Sequence, residues 1–275
     1  HLPLVLCCLA VALLSVALAR PQSAEHNSNS TTEGIDIVLS LDVSGSMLAR
    51  DFTPDRLGAA KEVASNFIVD RPNDRIGLVV FAGESFTQCP LTTDKRSLLN
   101  LLGGVRSGMI DDGTAIGNGL ATAVNRLRES SAKSKVVILL TDGVNNSSQI
   151  APLTAAEIAK SYGIRVYTVG VGTMGMAPYP AIDMWGNLTF QPMKVEIDEK
   201  MLTEIAQMTG GQYFRATDNR KLREIYDQIN DLERSRVEVE NFTRYDECFA
   251  PFALLAVLLA VAGFLLRQTW LRRLP

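Results

Sequence analysis

Histidine is nearly absent from this chain. Only two of its 275 residues are histidines, and both, His1 and His26, lie close to the N-terminus. A hydrolase that uses histidine as its base is therefore not expected, and neither is a histidine-ligated zinc site. Cysteine is also scarce, and the four cysteines form no C-x-x-C pair. Neither a disulfide framework nor a redox centre is predicted.

An excess of charge of one sign is missing as well. The chain carries 27 basic and 30 acidic residues. Proteins that bind nucleic acid concentrate Lys and Arg on one surface, so this balance gives no indication of a nucleic-acid partner. No internal repeat is apparent, and the length suits one sizeable α/β domain with attachments.

Two apolar runs without charge lie near the ends of the chain, at residues 2–19 and 249–266. A helix of about 18 residues is roughly 27 Å long, close to the roughly 30 Å hydrocarbon core of a bilayer. Both runs are predicted to be transmembrane helices, and Trp270 after the second suits the headgroup region. For the first run an alternative stays open, because Ala17-Leu18-Ala19 resembles the small-residue cleavage site of a signal peptide.

The orientation of the chain is predicted from its arginines. Residues 21–35 contain no Lys or Arg, whereas the C-terminal tail carries Arg267, Arg272 and Arg273. Because positive residues favour the cytoplasmic side, the segment between the two runs is expected outside the cytoplasm. The chain begins with His1 and not with Met, so further sequence is expected upstream.

The middle of the chain alternates β-branched apolar runs with amphipathic helical patterns, after a polar linker at residues 20–33. This alternation over residues 34–236 predicts an α/β domain with a doubly wound, mostly parallel, Rossmann-like sheet that helices cover on both faces. Residues 173–197 are expected to be irregular because glycine and proline interrupt them. Strands are predicted at 35–42, 75–82, 86–92, 135–142, 165–172 and 212–217, and helices at 54–70, 97–105, 115–129, 154–163, 198–210 and 219–236.

Oxygen-bearing side chains follow two of the predicted strands and open one predicted helix. Asp42, Ser44 and Ser46 leave the first strand at alternate positions, Asp142 ends a later strand, and Thr114 opens a helix. Ligands of such sheets bind beyond the carboxyl ends of the strands, so we expect these side chains to converge. Two carboxylates and three hydroxyls favour a hard cation, with Mg²⁺ first and Mn²⁺ or Ca²⁺ as substitutes.

This set of ligands would leave a dication unsaturated. Two formal negative charges and three weak hydroxyl ligands would let the ion accept one more anionic oxygen from outside, which suits recognition. Asp112 is a candidate to support these ligands by hydrogen bonding, without itself contacting the ion, although a solvated turn or a helix cap is the alternative. Tyr179 and Trp185 are candidates for a partner surface, because aromatic residues are enriched in binding hot spots. They could equally fold back on their own loop.

The same residues resemble a known family. The D-x-S-x-S turn after an apolar strand, the later threonine and T-D-G after a second strand resemble the metal-ion-dependent adhesion site of von Willebrand factor type A domains. All five positions of that pattern are filled, and the resemblance covers about residues 34–236. It implies a Mg²⁺ ion whose coordination is completed by a Glu or Asp carboxylate of a partner protein.

A narrower resemblance is carried by EGIDIVLSLDVSGSM, GLVVFAGESFTQCPLTTD, KVVILLTDG and the closing LRRLP. These segments are similar to the BatA family of membrane proteins from the aerotolerance operon of Bacteroidetes. That resemblance implies a retained span at residues 2–19 and a type A domain in the periplasm at a bacterial inner membrane. It also implies other Bat proteins and a MoxR-type AAA+ ATPase as partners.

Three functions are compatible with these features. The leading hypothesis is a non-enzymatic, membrane-anchored module that binds an acidic residue of a partner protein through Mg²⁺ and has no small-molecule substrate. An alternative is a Mg²⁺-dependent phosphoryl-transfer enzyme with Asp42 as nucleophile. Against it, Ser44 stands where such enzymes carry a second acid, and no lysine follows a strand end. A eukaryotic single-pass adhesion receptor is the third, and a further apolar span upstream would rule it out.

Overall fold

The structure is a computed structural model, and it describes residues 2–19, 22–23, 34–182, 184, 187–240, 246–247 and 249–269. Trp185 and most of the predicted linker lie outside the described residues. The chain forms two compact units, one of Thr31–Glu238 and one that combines His1–Ser30 with Val239–Pro275.

Ten strands and eight α-helices are assigned within the described residues. The strands are β1 (Gln22–Ser23), β2 (Asp36–Asp42), β3 (Arg75–Phe81), β4 (Ser85–Thr92), β5 (Lys135–Thr141), β6 (Arg165–Val171), β7 (Met176–Ile182), β8 (Leu188–Lys194), β9 (Tyr213–Ala216) and β10 (Asp246–Glu247). The helices are α1 (Leu2–Leu18), α2 (Arg56–Val69), α3 (Lys95–Gly103), α4 (Ile116–Leu127), α5 (Pro152–Ser161), α6 (Glu199–Met208), α7 (Asn219–Glu240) and α8 (Phe249–Thr269). A short 3-10 helix spans Gly45–Leu48.

The central sheet of the larger unit has six strands in the order β4-β3-β2-β5-β6-β9. All neighbouring strands are parallel except β3 and β4, which are antiparallel. The chain runs outward from β2 to one edge and then returns to β5, so the strand order reverses between β2 and β5. This topology confirms the predicted doubly wound, mostly parallel sheet, and ligands of such sheets bind beside that reversal.

Helices cover both faces of this sheet. Successive side chains of a strand point to opposite faces, so Ile37 and Leu39 belong to one buried cluster and Val38 to the other. The first cluster packs against α2, α3 and α7, and the second against α4, α5 and α6. Burial on both faces explains why the strands are near-continuous apolar runs.

Helix α4 lies close to the sheet because of its glycines. A Cβ built on Gly119 would lie 2.6 Å from the ring of Phe81, closer than carbon atoms can approach. The absence of a side chain at Gly119 therefore lets α4 pack onto β3. This contact fixes the start of α4, where the chain leaves the loop that contains Thr114.

The stretch at residues 173–197 corrects the sequence prediction. It was expected to be irregular, but β7 and β8 pair there as an antiparallel hairpin, with Pro178 opposite Pro192. Each strand of a two-stranded ribbon has one unpaired edge, and proline is accommodated where its missing N–H would face that edge. The prolines therefore mark an isolated ribbon and do not break it.

The smaller unit contains the two terminal helices. The predicted apolar runs are helical, as α1 and α8, and the two helices contact each other. Gln22–Ser23, within the predicted linker, forms β1 and pairs with β10. Taken over the described residues, no helix meets both the length and the apolarity that crossing a membrane requires. The two transmembrane spans stay a prediction.

Helix α7 is joined to the sheet by a buried carboxylate. Glu233 accepts hydrogen bonds from Arg165 Nε at 2.9 Å, from the Tyr167 hydroxyl at 2.6 Å and from the Ser134 hydroxyl at 3.0 Å. Burial alone would raise the pKa of Glu233, but these hydrogen bonds and the charge of Arg165 outweigh it and lower the pKa. The ionised carboxylate therefore stabilises the folded chain.

We predict that Glu233→Gln lowers the free energy of unfolding at pH 7 by about 3 kcal/mol, because it leaves Arg165 without its charged partner. Because the folded pKa lies below the ordinary value of 4.5, the stabilisation is complete above that pH and is lost as the pH falls further. Urea unfolding at pH 7 and pH 3.5 measures the difference, which should shrink in acid. Glu62→Gln, which breaks an exposed ion pair with Arg223, is the control and should change little.

Candidate metal centre

The loop after β2 is organised by Asp42, the last residue of that strand. Its carboxylate is fully buried. Oδ1 accepts a hydrogen bond from the backbone N–H of Ser44 at 2.9 Å, and Oδ2 accepts one from the Thr141 hydroxyl at 2.6 Å. Asp42 therefore fixes the turn that follows β2 and joins it to the end of β5.

Asp142, directly after β5, connects this loop to two other segments. Its Oδ1 accepts a hydrogen bond from the Ser46 hydroxyl at 2.7 Å, and its Oδ2 accepts one from Arg56 Nη1 at 2.6 Å. The Ser46 hydroxyl also lies 3.1 Å from the hydroxyl of Ser44. The structure thus brings four of the five predicted ligands into one hydrogen-bonded group.

Thr114, the fifth predicted ligand, lies in the loop before α4 and is buried. Its backbone is fixed by Asn146, which accepts from the Thr114 N–H at 2.8 Å and donates its own N–H to the Thr114 carbonyl at 3.0 Å. A Cβ built on Gly143 would lie 3.2 Å from the Thr114 hydroxyl. The hydroxyl is therefore packed over the residue that follows Asp142, at the edge of the sheet where the strand order reverses.

The electrostatics of this group favour a cation. Burial and the neighbouring charge of Asp142 raise the pKa of Asp42 to about 7. Burial also raises the pKa of Asp142, although Arg56 and Ser46 act against the rise. A bound cation would stabilise the ionised form of both carboxylates and offset their mutual repulsion. The donor set consists of oxygen atoms alone, which hard cations prefer. In the described part of the chain no three His, Cys, Asp or Glu side chains form a metal-binding group.

Arg56 was missed by the sequence analysis. It is the first residue of α2, its side chain is 1% exposed, and its Nε and Nη2 each donate to an oxygen of Asp51 at 2.7 Å. Arg56 lies on the same helical face as Ala60 and Val63, four and seven residues further along the chain, and both are buried. A cation on an apolar face needs a buried anion, and this signal was present in the sequence.

Asp112 and Tyr179 both lie beside the loop after β2. The Gly45 N–H donates to Asp112 Oδ1 at 2.9 Å, and a Cβ built on Gly45 would lie 3.1 Å from the Tyr179 hydroxyl. The hairpin that carries Tyr179 is fixed there, because the Pro178 carbonyl accepts a hydrogen bond from the Arg50 N–H at 2.8 Å. The supporting role of Asp112 and the partner-binding role of Tyr179 stay predictions, and the structure locates both residues next to the candidate site.

Comparison with known proteins identifies the family of this fold. The family model of the von Willebrand factor type A domain matches residues 36–228. An uncharacterized protein of Borreliella burgdorferi is 30% identical over 97% of this chain and 78% of its own length. A UPF0353 protein of Nocardia farcinica is 28% identical over 100% of this chain and 83% of its own length.

Two solved structures are similar to most of this chain. One is an aerotolerance-related membrane protein from Bacteroides fragilis, with 32% identity, a TM-score of 0.62, and coverage of 72% of this chain and 98% of that one. The other is BatB from Bacteroides thetaiotaomicron, with 32% identity, a TM-score of 0.62, and coverage of 73% and 100%. The family model and these structures confirm the resemblance to type A domains and to aerotolerance-related membrane proteins, and the metal-ion-dependent adhesion site stays a prediction.

The raised pKa of Asp42 generates a prediction about stability without metal. A folded pKa of about 7 against an ordinary value of 3.8 means that stability falls as the pH rises between these values, because the folded chain holds the proton more tightly. In EDTA at pH 8, Asp42→Asn should be more stable than the wild type by about 1–2 kcal/mol. The Asn amide can donate to the Thr141 hydroxyl, so the geometry is retained.

Urea unfolding in EDTA at pH 8 and pH 4 measures this effect, and the gain should disappear at pH 4. Glu129→Gln, at a carboxylate that is 84% exposed, is the matched control and should show no gain at either pH. A variant Asp42→Asn that is less stable than the wild type at pH 8 would show that the Asp42 charge is already compensated.

Proposed function

The chain belongs to the von Willebrand factor type A domain family, and on this premise we propose that it is a non-enzymatic protein-interaction module anchored to a membrane. It binds an acidic side chain of a partner protein through Mg²⁺, with Mn²⁺ or Ca²⁺ as substitutes. The residues that would hold the ion are Asp42, Ser44, Ser46, Thr114 and Asp142. The observation that carries this proposal is the pair of buried carboxylates, Asp42 and Asp142, joined to serine hydroxyls where the strand order reverses.

The chemistry of the donors favours binding over catalysis. When bound, the ion would attract a carboxylate oxygen from outside. Asp42 and Asp142 supply the charge, while the three hydroxyls add neutral oxygen atoms that leave the ion electrophilic. Both oxygens of Asp42 already accept hydrogen bonds, and Ser44 stands in place of the second acid of a phosphoryl-transfer enzyme. Asp42 therefore suits an ion-holding role better than that of a nucleophile.

The comparisons support a bacterial membrane as the location. One structural relative is described as an aerotolerance-related membrane protein, and the relatives reported above are bacterial, which favours this setting over a eukaryotic adhesion receptor. We place α1 and α8 in the inner membrane, with the type A domain in the periplasm. Other Bat proteins and a MoxR-type AAA+ ATPase are the partners that we propose.

The hairpin of β7 and β8 is a second contact surface for the partner. It lies against the loop after β2 through Arg50 and Pro178. Met174 and Met184 are 81% and 86% exposed. The ring of Phe190 is half-exposed, and the guanidinium carbon of Arg50 lies 4.5 Å from the centroid of that ring. Flexible methionines adapt to apolar partners of varied shape. The ion would give strength to the contact, and the hairpin would give it selectivity.

A pull-down from detergent-solubilised membranes of the source cells tests the metal contact. The wild type in Mg²⁺ should capture a partner that EDTA removes, and added Mg²⁺ should restore it. Asp142→Ala should reduce capture roughly tenfold or more, as loss of a buried charged contact does. Glu129→Ala, at the opposite end of α4, is the matched control and should bind normally. Capture of the same partners in Mg²⁺, in EDTA and by Asp142→Ala would refute a contact through the ion.

A separate variant tests the hairpin. Replacing Met174 and Met184 together by serine removes the two most exposed methionines among the described residues and leaves the ligand residues untouched. We expect weaker capture of the partner in the same pull-down. The stabilisation of the chain by Mg²⁺, measured by thermal unfolding, should be unchanged. Full capture by this variant would show that the hairpin does not contribute to binding.

A further inference from the structure

We infer that Arg56 is a built-in counter-ion of the metal site, whose positive charge stabilises the carboxylates when no metal is bound and weakens the binding of a dication. This inference rests on the proposed function, because it concerns the affinity of the same site. It assigns to Arg56 a role that is neither that of a ligand nor that of a simple packing residue.

The geometry places one cation among buried anions. The side chains of Arg56, Asp51 and Asp142 are 1%, 3% and 0% exposed. Arg56 binds Asp51 through two parallel hydrogen bonds of 2.7 Å and uses Nη1 for Asp142 at 2.6 Å. Water is excluded from this ion-pair group, so the charges act on one another with little screening.

Arg56 contacts Asp142, one of the proposed metal ligands, but its guanidinium cannot itself coordinate a metal ion. Its Nη1 donates a hydrogen bond to Oδ2 of Asp142, while the Ser46 hydroxyl donates one to Oδ1. A dication that is coordinated by Asp142 would therefore lie close to the guanidinium. Like charges at such a short range repel strongly inside a protein. The guanidinium must then lower the affinity of the site for a metal ion while it keeps Asp142 ionised and in place.

The same ion pair reaches the hairpin. Asp51 Oδ2 also accepts from the backbone N–H of Thr173 at 2.9 Å and from its hydroxyl at 3.1 Å. A Cβ built on Gly172 would lie 3.1 Å from Arg56 Nη2, so the absence of a side chain there leaves room for the guanidinium. Gly172 also has a φ of +146°, a conformation that favours glycine. Arg56 is thus fixed from α2, from β5 and from the start of the hairpin segment, which holds its charge at one position.

Two variants of Arg56 separate charge from geometry. Arg56→Gln removes the charge, and Arg56→Lys keeps the charge but cannot form the same three directed hydrogen bonds. The full 275-residue chain in detergent micelles is freed of metal with EDTA, dialysed and titrated with Mg²⁺. Calorimetry gives the Kd, and the shift of the Tm gives a second measure of binding.

If Arg56 acts by its charge, Arg56→Gln has a lower Tm without metal but binds Mg²⁺ roughly tenfold more tightly and shows a larger Tm shift. Arg56→Lys then has a Kd within about threefold of the wild type. If Arg56 only holds Asp142 in position, both variants bind Mg²⁺ more weakly, and this result overturns the inference. Should Arg56→Gln not fold, the Arg56→Lys result decides alone.

Arg165→Gln is the matched control, because Arg165 is also paired with a buried carboxylate but lies at the start of β6, away from the site. It should lose stability without any change in the Kd for Mg²⁺. A wild type without measurable Mg²⁺ binding would refute the proposed function itself. A wild type that binds, with an Arg56→Gln variant of equal or weaker affinity, refutes only the role of Arg56.

Discussion

The carboxylate of Asp142 is the contact on which the candidate site depends. It lies directly after β5, yet its oxygens accept hydrogen bonds from Ser46 and from Arg56, which are 96 and 86 residues away in the chain. The loop after β2, the first turn of α2 and the end of β5 are held together by this one group. Their meeting point is set by the sheet, because β2 and β5 are neighbours only where the strand order reverses.

The five oxygen donors could be predicted from the sequence because each follows from a local pattern. An apolar strand that ends in Asp42, with Ser44 and Ser46 at alternate positions, needs no knowledge of the rest of the chain. The carboxyl ends of parallel strands lie at one edge of a sheet, so predicting the strands was enough to place Asp142 near Asp42.

The hairpin and the ion pair could not be predicted in the same way. Pro178 and Pro192 resemble strand breakers, and only their pairing in an isolated ribbon shows why both are accommodated. The position of Arg56 on the apolar face of its helix indicates a buried anionic partner, but the identity of the partners, Asp51 and Asp142, becomes visible only when the fold brings them together. Tyr179 was selected for its aromatic character alone, and the fold supplied its place beside Gly45.

The charges at the site explain why a dication would suit it. Asp42, Asp51 and Asp142 oppose the single guanidinium of Arg56, so the ionised group carries an excess of two negative charges. A dication balances that excess, and the carboxylate of a partner then adds one negative charge in a site with little water. The inferred counter-ion role gives Arg56 opposite effects on these two steps, because its charge repels the ion and attracts the carboxylate. Under the proposed function such a site would hold its metal most firmly when the partner is bound, because each would raise the affinity for the other.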